Sequence, residues 1–328
     1  MIIGTIASHS ALQILRGAKD EGFETLLISD EKRKSFYERF NLADEIITVK
    51  SFSQVMSEET QEKLLEKDTI LVPHGSFVEY VGAKAMLELK VPVFGNKRVL
   101  EWESEREKSF EWFRRAGIKM PQEFKKPEDI DRLCIVKLGG AKGGKGYKLV
   151  RNAEEFYREF GELKEGMVLQ EYIVGTRFYP SFFYSPLSKE NDLFSIDIRY
   201  EANADALSRL PSAIRVDPTY VVTGNLPVVM RESLLPEVFE FADSLVYESK
   251  KLFPPGLYGP YCLELCCTDE LKLYLFEISA RIVAGTNVWI PFSPYAYLKY
   301  GEKMTMGRKI AMEIKRAEEE GRLKEITS

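Results

Sequence analysis

Residues 134–150 read Cys134-Ile135-Val136-Lys137-Leu138-Gly139-Gly140-Ala141-Lys142-Gly143-Gly144-Lys145-Gly146-Tyr147-Lys148-Leu149-Val150. An apolar run, a glycine loop and a second apolar run follow one another. Gly139, Gly144 and Lys145 nearly match a Walker-type phosphate loop. Gly146 then stands where that loop needs the Ser or Thr hydroxyl that binds magnesium. A Walker loop also opens a helix, whereas Tyr147–Val150 has the character of a strand. The stretch therefore predicts a strand–loop–strand flap. Its five glycines let backbone N–H groups approach phosphate oxygens, and Lys142 and Lys145 add charge. The plain alternative is a bare surface hairpin, but a turn tip requires neither five glycines nor two lysines. Lys137 strengthens the phosphate reading. It interrupts an apolar strand, where a cation needs an anionic partner, although an edge lysine could reach solvent instead.

Three further features lie outward from the flap. Gln170-Glu171-Tyr172-Ile173 ends an apolar run and could offer backbone groups to an adenine edge. Glu264 and Glu277 each sit inside an apolar strand, with Thr268-Asp269-Glu270 as the turn between them. A hairpin would set the two carboxylates side by side, where they repel unless a cation intervenes. Mg²⁺ held by carboxylates and nucleotide phosphates is the common solution; two outward faces of an antiparallel sheet are the alternative. Ser279-Ala280-Arg281 follows directly and places another cation nearby. The chain's two histidines, His9 and His74, each follow a predicted parallel strand. Ligands of open α/β sheets bind outside the carboxyl ends of strands. The Ser8–Ser10 turn also opens a helix, whose free N–H groups suit a phosphate.

The 328-residue chain carries 46 Lys and Arg against 51 Asp and Glu, a formal charge of −5. That argues against a basic nucleic-acid surface. Hydrophobic residues at 45% and charged residues at 30% predict a core-forming protein of two or three domains. No apolar run approaches the ~18–20 residues of a membrane helix. The N-terminus lacks the features of a signal peptide, so a cytoplasmic location is expected. Cys134, Cys262, Cys266 and Cys267 lack metal-site spacing and read as buried small hydrophobes. Abundant Lys, Glu and Arg with scarce Asn and Gln is the thermophile bias.

Strand and helix signals alternate over the first ~100 residues, which predicts an α/β unit built on a parallel sheet. Strands are expected at Met1–Ala7, Glu24–Ser29, Glu45–Val49, Thr69–Pro73 and Val91–Phe94. Helices are expected over Ser10–Gly22, Glu31–Phe40, Glu58–Lys67, Val78–Leu89 and, strongly charged, Lys97–Gly117. The last ~150 residues mix strands with helices near Leu234–Leu252 and Thr305–Gly321, by the usual approximate boundaries.

The flap after a strand lysine, the Gln-Glu-Tyr segment and the paired acidic strands resemble the ATP-grasp superfamily. More specific stretches are Ala7-Ser8-His9-Ser10-Ala11-Leu12-Gln13-Ile14, His74-Gly75-Ser76-Phe77, Phe94-Gly95-Asn96-Lys97 and Trp102-Glu103-Ser104-Glu105-Arg106. Arg199-Tyr200-Glu201, Gly224-Asn225-Leu226-Pro227, Arg231-Glu232-Ser233-Leu234-Leu235 and Phe276-Glu277-Ile278-Ser279-Ala280-Arg281 complete the set. Running from end to end, these stretches resemble the archaeal formate-dependent 5-formaminoimidazole-4-carboxamide ribonucleotide (FAICAR) synthetase family.

The resemblance implies an ATP-grasp fold of three parts: an N-terminal pre-grasp domain with a parallel sheet (1–122), a small glycine-flap lid (123–178) and a C-terminal mixed α+β grasp domain (179–328). It implies that ATP phosphorylates formate to formyl phosphate. The 5-amino group of the aminoimidazole carboxamide ribonucleotide (AICAR) then takes the formyl group. His9, Ser10, Ser76 and Asn225 would hold AICAR. Lys137, Gly140, Gly143, Gly144, Lys145, Glu171, Tyr172 and Glu201 would hold ATP. Glu264 and Glu277 would hold Mg²⁺, with Mn²⁺ as a substitute, and Lys137 and Arg281 would be the catalytic residues. A trimer or hexamer is implied, with no nucleic-acid or membrane partner. Two departures stand out. Leu138-Gly139 replaces a proline or bulky pair usual in the family, and the chain is about four residues short between Pro211 and Gly224, in a loop. A ligase for another acid and amine, and a non-catalytic AICAR or AMP binder, therefore stay open as alternatives.

Overall fold

The computed structural model describes residues 1–8, 10–138, 147–202, 207, 209–211, 214, 221–283 and 293–328. His9 and the flap residues 139–146, among them Gly140, Gly143, Gly144 and Lys145, lie outside the described residues, as does most of the segment between Pro211 and Gly224.

The first sheet is four-stranded, wholly parallel and ordered β3-β2-β1-β4, from β1 (Ile2–Ile6), β2 (Glu24–Asp30), β3 (Glu45–Val49) and β4 (Thr69–Leu71). Strands β1, β2 and β4 are short runs largely buried on both faces, as a parallel sheet requires, while the edge strand β3 is only half-buried. The helix Ala11–Asp20 packs against the helix Met306–Glu319 near the C-terminus. They cross at Gly17 and Gly307. A Cβ on Gly17 would lie 2.1 Å from the Gly307 carbonyl carbon, so this crossing admits no side chain. The chain end then returns to the first sheet, where the Val93 N–H donates to Ser328 O at 3.0 Å.

Three expectations in this region change. The helix expected over Val78–Leu89 is a π-helical turn, Phe77–Val81, and a short helix, Ala83–Leu87, parted by Gly82 at φ +95°. The strand expected at Val91–Phe94 forms only isolated bridges, because its partners, Leu71 and Thr327, come from different directions. The charged helix splits into Lys97–Ser104 and Arg106–Arg115 at Glu105, whose backbone is extended.

The second sheet is small and antiparallel, ordered β5-β8-β6-β7: β5 (Glu123–Phe124), β6 (Cys134–Lys137), β7 (Tyr147–Val150) and β8 (Val168–Glu171). Phe124, Cys134, Val136, Val150 and Leu169 form its own core with Phe156 of the helix Ala153–Phe160. Alternation turns Ile135, Lys137 and Gln170 to the opposite face.

The third sheet is five-stranded, antiparallel and ordered β11-β10-β9-β12-β13: β9 (Thr176–Ser185), β10 (Glu190–Glu201), β11 (Val222–Pro227), β12 (Gly259–Cys267) and β13 (Leu273–Ser279). The helix Leu235–Leu252 covers one face, burying Phe182, Tyr261, Leu245 and Val238 in the main core. The other face carries Arg177, Tyr179, Arg199, Asn225, Glu264 and Glu277. β5, β11 and the helix Pro294–Tyr300 had no counterpart in the sequence reading. All four cysteines are buried and free. Among the described residues, no helix is long and apolar enough to cross a membrane.

Candidate active site

The carboxyl ends of β1 and β4 meet as the crevice rule predicts. Ser76 Oγ donates to Ser8 Oγ at 2.8 Å, joining the two loops. Ser10 sits at the start of the helix Ala11–Asp20 and is only 2% exposed. Its Oγ has no partner among the described residues. A buried hydroxyl left open at a helix N-terminus is the expected preparation for an anionic oxygen.

His74 plays a different part from the one its position suggested. It is fully buried. The Ser76 N–H donates to its Nδ1 at 3.3 Å, so Nδ1 accepts. Nε2 therefore carries the proton and faces Ile6 O at 3.0 Å. The ring ties β1 to the β4 loop as a strut.

The acidic pair falls where the hairpin reading placed it. Glu264 and Glu277 are direct partners across β12 and β13. Their environments differ. Glu264 is 3% exposed and takes a two-pronged bond from Arg199, at 3.0 and 2.7 Å. Arg199 in turn lies 3.8 Å from the centre of the Tyr179 ring. Glu277 is the exposed member of the pair, and Lys137 of the second sheet is among its electrostatic neighbours. The crowding walls, and then the Glu264 carboxylate, push its carboxyl up to about 7. Glu277 is an accessible hard oxygen donor that suits a divalent cation completed by phosphate oxygens, whereas both Glu264 oxygens are held by Arg199. Among the described residues no group of three or more acidic, histidine or cysteine ligands exists, so the protein alone does not complete a metal shell.

Lys137 approaches from the second sheet. Its Nζ donates to Gln170 Oε1 at 2.8 Å. Desolvation brings its ammonium down to about 8, against the pull of Glu277. The strand lysine and the paired carboxylates thus face one another across the cleft. Arg281, just beyond β13, abuts the other wall. A Cβ on Gly75 would lie 3.3 Å from its guanidinium. Arg281 Nη2 pairs with Glu103 Oε1 at 2.9 Å, and Glu103 Oε2 accepts from the Ala280 N–H at 2.8 Å. Burial raises the Glu103 carboxyl despite the opposing pull of Arg281. Arg281 Nε has no partner among the described residues.

The remaining expected residues spread along the cleft. Asn225 is the register partner of Arg199, and Glu201 accepts from Arg177 Nη1 at 3.0 Å. The Glu171 carboxylate is taken up locally, by the Gln122 N–H at 3.1 Å and by Arg132 at 3.4 Å. The Tyr172 N–H donates to Leu133 O at 2.8 Å. Sequence reasoning gave no role to Arg199, Arg177, Glu103 or the Gln170 side chain. A signal was present for Arg199. Asp197, Arg199 and Glu201 recur every second residue in β10, the mark of a charged strand face. Glu103 carried no such pattern.

Profiles of two families match the chain: a protein of unknown function (DUF1246) over residues 3–124 and a domain of unknown function (DUF1297) over residues 159–328. A 5-formaminoimidazole-4-carboxamide-1-(beta)-D-ribofuranosyl 5'-monophosphate synthetase of Archaeoglobus fulgidus is 48% identical over 99% of this chain and 94% of its own length. The chain belongs to this synthetase family. A crystal structure of an IMP biosynthesis protein, PurP, from Thermococcus kodakaraensis superposes with a TM-score of 0.81 at 32% identity. That match covers 99% of this chain and 100% of the other. An N5-carboxyaminoimidazole synthetase from Staphylococcus aureus, complexed with ADP, superposes with a TM-score of 0.62 at 18% identity, over 86% of this chain and 70% of its own. The synthetase family shares the ATP-grasp fold, and the parallel sheet, lid and grasp sheet described above are its parts.

Proposed function

We propose that this chain is a ligase that uses ATP and formate to convert AICAR to FAICAR in purine biosynthesis. One observation carries the reading. Arg281 follows the strand that bears Glu277 and packs against Gly75, between His74 and Ser76. This contact supports a nucleotide end lying beside the ribonucleotide crevice. Family membership supplies the names of the substrates.

A formate oxygen attacks the γ-phosphorus of ATP, and the bond to the ADP oxygen breaks. The product is formyl phosphate. The 5-amino nitrogen of AICAR then attacks the formyl carbon and loses a proton. The C–O bond to phosphate breaks, and phosphate leaves with an oxygen that came from formate. Such transfers depend chiefly on positioning and charge neutralisation. Lys137 and the backbone N–H groups of 139–146 hold the phosphates, and Glu171, Tyr172 and Glu201 line the rest of the nucleotide site. Glu171 and Tyr172 act there through position rather than through the groups already engaged by Arg132, Gln122 and Leu133. His9, Ser10, Ser76 and Asn225 hold AICAR, with the phosphate at the open Ser10 hydroxyl. Arg281 faces the anion formed between the two halves. Glu277, with Glu264 beside it, would hold Mg²⁺, or Mn²⁺ in its place, and the bound ion would neutralise charge on the ATP phosphates.

We further propose the division 1–122, 123–178 and 179–328, a cytoplasmic location and a closed homo-oligomer, a trimer or hexamer. The test is ADP formation with protein, ATP, Mg²⁺, formate and AICAR, each omitted in turn. Turnover that needs all five supports the assignment. Turnover with another acid or amine in place of formate or AICAR, or binding without turnover, contradicts it.

A further inference from the structure

Gln170 is 1% exposed, yet it belongs to the lid face that turns away from the lid's own core. Its register partners are Ile135 on β6 and Glu123 on β5. Lys137, two residues on from Ile135, shares that face. An ammonium only donates, so the 2.8 Å bond from Lys137 fixes which end of the Gln170 amide is oxygen. The NH₂ end is thereby fixed as well. It is buried and has no partner among the described residues. A buried donor left open is costly, and natural proteins retain few of them.

The lysine sharing this amide is the one assigned to the phosphates, and Glu171, the next residue along the chain, begins the segment assigned to the nucleotide. We infer that Gln170 is a nucleotide-binding residue whose side-chain NH₂ donates to an acceptor atom of bound ATP while its oxygen holds Lys137 in place. This rests on the nucleotide site proposed above. The same amide explains how a lysine at the mouth of an apolar strand keeps one orientation before the nucleotide arrives.

Two variants separate the donor role from a structural one. Gln170→Leu removes both ends without adding charge. Gln170→Glu keeps an acceptor for Lys137 and removes only the donor. Binding of MgATP and of AICAR to the full chain is measured by calorimetry, and thermal unfolding is followed without ligand. Both variants are expected to bind MgATP about 5–20-fold more weakly and AICAR as the native chain does. Ligand-free Gln170→Glu is expected to unfold at or above the native temperature, because an open donor has been exchanged for an ion pair. MgATP affinity within about twofold of native in either variant overturns the inference. So does a Gln170→Glu chain that loses both thermal stability and AICAR binding, because Gln170 would then be a strut. Failure of the native chain to bind MgATP contradicts the nucleotide site itself.

Discussion

Replacing Arg199 by Met should destabilise the grasp domain far more than a surface change would. Arg199 holds both oxygens of Glu264, and the side chains are 23% and 4% exposed. Met keeps most of the bulk over Tyr179 but removes the charge. Glu264 then remains as a buried carboxylate directly opposite Glu277. Breaking a buried pair from one side costs about 3–5 kcal/mol, because the remaining charge has lost its partner. Loss of the cation over the Tyr179 ring adds about 0.5–1 kcal/mol. At roughly 2–4 °C per kcal/mol for a domain of this size, a total of about 3.5–6 kcal/mol should lower melting by about 7–24 °C. Adding Glu264→Gln to Arg199→Met should recover most of the loss, although the pair is gone. Calorimetric melting of the native chain, the single variant and the double variant measures both effects. A single variant within ~1 kcal/mol of native, or a double variant no more stable than the single, would refute the reasoning.

Glu277→Gln should abolish ADP formation and leave AICAR affinity intact, because the ribonucleotide crevice is built from other strands; calorimetry and a turnover assay check the two halves. His9→Ala should weaken AICAR binding about 10–100-fold, the loss of a charge-assisted hydrogen bond, with the ATP requirement nearly unchanged. His74→Ala should instead lower the melting temperature, since its ring ties Ile6 to Ser76. Lys137 has an ammonium brought down to about 8. ATP phosphates favour its protonated form, so ATP affinity should hold below that pH and decline as pH rises through it. Proton uptake should accompany binding in the alkaline range; titration calorimetry in two buffers of different ionisation enthalpy checks this.

The sequence made much of this legible because its signals were local. The parallel β1–β4 sheet follows from short apolar runs between helical segments, and the Glu264–Glu277 pairing follows from two apolar strands joined by one polar turn. Lys137 stood out as a charge in an apolar strand. What stayed hidden depends on contacts between distant segments. Arg199 meets Glu264 across β9, and Glu103 meets Arg281 from a helix far away in the chain. His74 looked like a ligand because it follows a strand, but the carbonyl that its Nε2 faces comes from Ile6, which no local pattern reveals. The interrupted helix at Gly82 was legible in principle, since glycine takes positive φ freely, but the apolar periodicity on either side masked the break.

The most direct test of the account follows the oxygen atoms. Formate labelled with ¹⁸O is incubated with the protein, ATP, Mg²⁺ and AICAR, and the released phosphate is analysed by mass spectrometry. A formyl phosphate route predicts FAICAR, ADP and phosphate in equal amounts, with one formate oxygen in each phosphate. Unlabelled phosphate, or ADP released at the same rate without formate, would contradict the proposed chemistry.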